Sequence, residues 1–168
     1  RRSVFVTTYN EEHKIAACRE SLLWADESIV VDSYSTDRTP EIVQSFPQVT
    51  FLQRTYYGAA SQKNWCMDRC QHDWILIFDA DERCLPELRE EIEQLLAAGP
   101  KYDAYTIRRR VFFLGKVIRF SGWQRDQVVR LVRKGTARYP NRRVHADMKT
   151  QGPAPLLKSK MDHHMVDD

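Results

Sequence analysis

Short apolar runs alternate with helical apolar spacing along the first hundred residues. Val4-Phe5-Val6 reads as a strand, and Asn10 caps a following helix whose apolar positions Ile15, Cys18, Leu22 and Ala25 recur at helical spacing. Ser28 to Asp32 is a second strand, apolar without alternation, as in a sheet covered on both faces. Thr39-Pro40-Glu41 starts a short helix, with Thr as cap and Pro at the first position. Val49 to Leu52 gives a third strand, Ala60 to Cys70 a helix, and Trp74 to Phe78 a fourth strand. Pro86 opens a last helix through Leu88, Ile92, Leu95 and Leu96, which Gly99-Pro100 stops. Such alternation predicts an α/β fold with a mainly parallel central sheet flanked by helices.

After Gly99 the pattern changes. Tyr105 to Phe113, Lys116 to Phe120 and Gln127 to Arg133 read as strands with partial alternation, separated by Gly115 and Gly122. They predict a mixed, partly antiparallel extension of the same sheet, so residues 1–168 form one domain with parts at 1–100 and 101–168. The chain opens without Met and ends in Met161-Asp162-His163-His164-Met165 with no turn or cap signal, which gives the expectation of a piece of a longer protein, truncated at its C-terminus.

Charge divides the same two parts. Residues 101–150 carry 14 Lys and Arg against 3 Asp and Glu, whereas the rest carries 12 against 20. The second part is therefore expected to face an anionic partner: a phosphorylated sugar, an anionic membrane surface or nucleic acid, unless it is simply a solvated basic face. No helix-turn-helix, zinc-finger or RNP-like signature supports nucleic acid. No run approaches the ~18–20 apolar residues of a membrane span. Cys18, Cys66, Cys70 and Cys84 form no paired framework; reduced, buried thiols suit a cytoplasmic protein, and Cys66 with Cys70 lacks the second pair a metal site needs.

In parallel α/β sheets ligands bind beyond the C-terminal strand ends, and three polar segments fall there. Asp79-Ala80-Asp81-Glu82 follows the buried fourth strand. Two carboxylates two residues apart on a turning backbone reach one site and suit a hard cation, Mg²⁺ or Mn²⁺, shared with substrate phosphates. The plainer reading is a pair of exposed turn carboxylates, with Glu82 starting the next helix. Asp32 ends the second strand, placed to accept a hydrogen bond from a nucleobase or ribose. Thr7-Thr8-Tyr9-Asn10-Glu11-Glu12 ends the first strand, where helix capping alone would also account for it.

Together, Thr8-Tyr9-Asn10-Glu11-Glu12, Asp32-Ser33-Tyr34-Ser35-Thr36-Asp37, Gln62-Lys63-Asn64-Trp65, Asp79-Ala80-Asp81-Glu82-Arg83 and Arg130-Leu131-Val132-Arg133 resemble family 2 glycosyltransferases, above all the lipopolysaccharide inner-core β-glucosyltransferase group. The resemblance covers Val4 to Arg133. It implies a GT-A fold and an inverting, metal-dependent transfer from a UDP-type sugar donor, with residues 1–100 binding the donor and 101–168 the acceptor. Carried over residue by residue, Thr8 and Glu11 contact the nucleotide, Asp32 the base, Lys63 a phosphate and Asp79 the ribose or sugar. Asp81 holds the metal, and a C-terminal histidine, His164 or its neighbour His163, completes the shell. The chain departs from the family where Tyr34 and Arg38 replace Gly, and where Val144-His145-Ala146 replaces Val-His-Glu. With that Glu missing, Asp126 and Asp147 are the candidates for the base that takes the acceptor's proton.

Arg108, Arg109, Arg110, Arg142 and Arg143 are expected to attract an anionic glycan or lipid-linked acceptor, with Trp123 stacking on a sugar or packing in the core. The implied setting is cytoplasmic, with peripheral contact at the inner face of the membrane and no nucleic acid. Two other readings stay open: an Asp-x-Asp phosphatase with Asp79 as nucleophile, and a non-catalytic nucleotide or glycan-binding module, which Ala146 makes plausible.

Overall fold

The computed structural model describes residues 1–114, 116–117, 127–140 and 147–166. Strands β1 (Arg2–Thr8), β2 (Glu27–Asp32), β3 (Val49–Gln53) and β4 (Trp74–Asp79) lie side by side in the order β3-β2-β1-β4, all parallel. Because β2 and β4 flank β1 on opposite sides, the winding reverses at β1, and a crevice opens between strand C-termini there. Register pairs Thr7 with Asp79 and Thr8 with Asp32, so the polar residues that end these strands share one edge.

Side chains of β1 alternate between two cores. Val4 and Val6 pack with Ile15 and Cys18 of α1 (Ile15–Glu20), Val43 of α2 (Thr39–Gln44), and Leu88 and Ile92 of α4 (Pro86–Ala98). Phe5 faces the other way, onto Cys66 and Met67 of α3 (Ala59–Arg69). Two covered faces explain why these strands lack polar alternation. All four cysteines are free and buried within these layers.

The second part extends the same sheet, as its partial alternation predicts. Beyond β4 come β8 (Gln127–Arg133), β6 (Ala104–Phe113), β11 (Leu156–Val166) and β5 (Glu82–Cys84), with the short β7 (Lys116–Val117) paired to β6. The joins β4–β8, β8–β6 and β11–β5 are antiparallel, whereas β6–β11 is parallel. A small ladder joins β9 (Ala137–Arg138) to β10 (Lys149–Thr150).

Local readings shift in four places. Glu82 starts β5, not a helix, and Met161–Met165 lies inside β11. Asn10 caps nothing: it sits at φ 50° and accepts the Thr36 N–H at 2.8 Å, tying the β1 loop to the β2 loop. Thr39 is the first residue of α2, and its hydroxyl accepts the Glu11 N–H at 2.9 Å.

One charged side chain is built into the sheet itself. Arg130, on β8 between apolar neighbours, is 3% exposed. The β6–β8 register passes from Tyr105↔Leu131 to Thr106↔Val129, leaving Arg130 as the extra residue of a bulge. Bulges re-aim side chains, and this one sends the guanidinium to the Ile77 carbonyl at 3.1 Å, Glu82 at 2.5 Å and Asp79 at 3.2 Å. Removing one partner from a buried ion pair strands the other. Arg130→Met is therefore expected to cost about 3–5 kcal/mol, measured by urea denaturation.

Candidate active site

A cleft of about 560 Å³ opens at the crevice, lined by Thr7, Thr8, Tyr9 and Glu11 from β1 and its loop. Ser33 follows β2, Tyr56 precedes α3, and Ala59, Gln62 and Lys63 come from α3 itself. Asp79, Ala80 and Asp81 close the cleft on the β4 side.

The two aspartates have different surroundings. Asp79 accepts from Lys63 at 3.2 Å, Arg130 at 3.2 Å and the Thr7 hydroxyl at 3.4 Å. Burial alone would raise its carboxyl pKa; the Lys63 ammonium and Arg130 guanidinium overcome this and hold it well below the usual carboxylate range. In the same way, burial disfavours the Lys63 ammonium, but Asp79 keeps it above its ordinary value. Glu82, fully buried, receives Arg130, Arg109 at 3.3 Å and the Asp79 N–H at 2.8 Å.

Asp81 is bound to none of these cations among the described residues. Its carboxylate meets His163 Nε2 at 3.0 Å, and its carbonyl accepts the His164 N–H at 2.8 Å. Asp81, Glu82 and His163 each bring a ligand atom to within 4.8 Å of the others. Glu82 is committed to two guanidiniums, so Asp81 and His163 are the pair with capacity for a cation. Nearby, burial and then the Asp81 charge raise the Glu11 carboxyl pKa.

The glycosyl transferase family 2 model matches residues 3–162. This chain belongs to that family. The family 2 chain is 33% identical over 155 residues to the lipopolysaccharide core biosynthesis glycosyltransferase LpsC of Rhizobium meliloti, covering 89% of this chain and 57% of LpsC. It thus spans little more than half the length of that relative. Among solved structures, S. aureus TarS 1–349 superposes with a TM-score of 0.70 over 98% of this chain and 60% of that one, at 16% identity. The mannosyltransferase PcManGT from Pyrobaculum calidifontis, in complex with GDP-Man and Mn²⁺, gives 0.55 at 28% identity over 66% of this chain and 36% of that one. The fold is GT-A, as the resemblance implies.

The expected residues of this family 2 chain fall into three groups. Thr8, Glu11, Lys63, Asp79 and Asp81 line the cleft together, and the buried Thr8 hydroxyl has no partner among the described residues. Lys63 is no solvated helix lysine: only 12% of its side chain is exposed.

Asp32 and Asp147 are engaged elsewhere. Asp32 is fully buried behind the cleft and accepts from Ser35 N at 2.8 Å, Ser35 Oγ at 2.5 Å and Gln53 Nε2 at 3.1 Å. It organises the loop that presents Ser33. Asp147 accepts the backbone N–H groups of Val129 at 3.0 Å and Met148 at 2.8 Å and does not line the cleft.

His164 stacks on Phe112, ring centroids 4.7 Å apart, because neighbours on a strand face opposite ways. The imidazole at Asp81 is His163. Asp126, Arg142, Arg143, Ala146 and Trp123 lie outside the described residues. Arg109 and Arg110 pair with Glu82 and Asp162. Glu82 and Arg130 act as a buried pair that sequence reasoning did not assign; the signal was a lone Arg inside Val128-Val129-Arg130-Leu131-Val132.

A carboxyl held acidic in the fold contributes stability above its unfolded pKa of about 3.9 and loses it as pH falls. The stability gap between the wild type and Asp79→Asn is therefore expected to be full at pH 6 and to shrink below about pH 4, in urea titrations at stepped pH.

Proposed function

We propose that this chain carries the donor-binding part, at 1–100, and the acceptor-side part, at 101–168, of an inverting glycosyltransferase that moves a hexose from a UDP-sugar to an anionic glycan, in lipopolysaccharide core or related envelope synthesis. The observation that carries the reading is Asp81 facing His163 at the mouth of the cleft, beside an aspartate already neutralised by Lys63 and Arg130. A carboxylate and an imidazole already side by side suit Mn²⁺, and Mg²⁺ less well, leaving positions for diphosphate oxygens. Bound there, the ion would supply a Lewis acid against the leaving diphosphate's charge. Mn²⁺ beside GDP-Man in PcManGT and the lipopolysaccharide role of LpsC support this reading.

The residues of the chain then divide the work. Thr8 and Glu11 face the nucleotide, and the Thr8 hydroxyl supplies an unused donor and acceptor. Lys63 and Arg130 fix Asp79 as an ionised wall of the donor site. Of the two candidate bases we favour Asp126, since Asp147 already accepts two N–H groups.

Calorimetry with UDP in Mn²⁺ is expected to show binding that Asp81→Ala weakens by about thirtyfold or more, as losing a charged partner worth at least about 2 kcal/mol implies. His163→Ala should weaken it in the same direction. Absence of any metal-dependent UDP binding would overturn the reading. Asp126→Asn should lower kcat by about 10²–10⁴-fold with UDP affinity intact, as expected for a general base. UDP binding without transfer to any glycan would instead favour the non-catalytic module.

A further inference from the structure

A second cleft, of about 480 Å³, lies along the opposite side of α3. Ala60, Ser61, Asn64, Trp65 and Asp68 line it from the helix, whereas Ala59, Gln62 and Lys63 face the first cleft. The segment before α3 is the partition: Tyr56 lines the first cleft and its neighbour Tyr57 the second.

Cations and rings are layered in this second cleft. The Arg54 guanidinium lies 5.3 Å from the Tyr57 ring centre and 5.4 Å from that of Trp65, and Arg69 covers Trp65 at 3.7 Å. Arg54 donates to Gln62 Oε1 at 3.0 Å and Ser61 Oγ at 3.2 Å, both neutral acceptors. Among the described residues of this cleft, Arg138 pairs with a carboxylate, Asp68 at 2.9 Å. Among the described lining residues two guanidiniums thus meet one carboxylate, and two of Arg54's five N–H groups are used. Tyr57 is 72% exposed, a large ring held open to water beside a cation.

We propose that this outer cleft binds an anionic sugar, one carrying a phosphate or carboxylate, with Arg54 and Arg138 on the anion and the Tyr57 face against the ring. A guanidinium fork matches such oxyanions, and an aromatic face suits the apolar face of a sugar. Both features in one cleft select for the combined ligand over either fragment. The site is separate from the donor cleft and does not rest on the donor reading.

The test titrates Asp81→Ala protein with glucose 6-phosphate, glucuronate, glucose and inorganic phosphate. The readout is the Trp65 indole N–H resonance, assigned with Trp65→Phe. At least one of the two anionic sugars is expected to shift it and to bind about tenfold or more tighter than glucose or phosphate, a difference of about 1.4 kcal/mol. Which of the two binds tells phosphate from carboxylate. Arg138→Met and Arg54→Met, each checked for an unchanged circular dichroism spectrum, should each weaken binding about tenfold, the loss typical of a charged hydrogen-bond partner. Equal affinity for phosphate alone, no Trp65 shift, or indifference to both arginine variants would overturn the proposal. Failure of Mn²⁺-dependent UDP binding would leave this result standing, since Asp81 is already absent.

Discussion

A single buried guanidinium holds the two halves of this sheet in register at the site. Arg130 reaches from β8, the first strand of the antiparallel extension, to β4, the last of the parallel half, and touches a backbone carbonyl and two carboxylates. Dehydrating three charges is costly unless geometry and hydrogen bonds offset it. Here Asp79 and Glu82 also receive Lys63, Arg109 and a backbone N–H, so the acids after β4 are almost fully paired. Glu82 receives the Asp79 N–H through its own side chain. The Asp79–Glu82 turn is thereby locked, and Asp81 projects from a fixed base.

That locking gives neighbouring acids different work. Asp79 lines the cleft while pairing with Lys63 and Arg130, Glu82 is buried beside guanidiniums, Asp81 borders the cleft next to His163, and Asp32 accepts from its own loop. The Asp32 loop also keeps Tyr34 at φ 59°, a left-handed conformation that Gly accepts at no steric cost and a Tyr adopts only under strain. Asn10 and Thr36 clamp the adjoining loops across the same edge, which explains how the chain holds that path without glycine.

The parallel half was legible because buried strands and amphipathic helices leave strong periodic signals: Val4 to Val6, Ile29 to Val31 and Ile75 to Phe78 are all core. Thr8, Glu11, Asp79 and Asp81 were legible as a cluster because they end or follow strands, whereas Lys63, inside α3, came only from the family resemblance. What escaped were features fixed by distant partners. Glu82 looks like a helix-starting acid until Arg130, 48 residues on, is seen beside it. Leu156 to Val166 mixes Lys, Asp and His with apolar residues, because its neighbours β6 and β5 present Arg110 and Arg83 opposite Asp162. With no clean alternation, no strand shows, and the choice between His163 and His164 depends on which side of that strand faces Asp81.

The late arrival of β11 has a consequence for how the molecule matures. Its imidazole reaches a carboxylate 82 positions earlier in the chain, and β11 has no place in the sheet until β6 is laid down beside it. As synthesis proceeds from the N-terminus, the crevice can take shape before His163 has left the ribosome. The contact between Asp81 and His163 therefore forms only after the crevice it borders, so one edge of the cleft is completed later in synthesis than its floor.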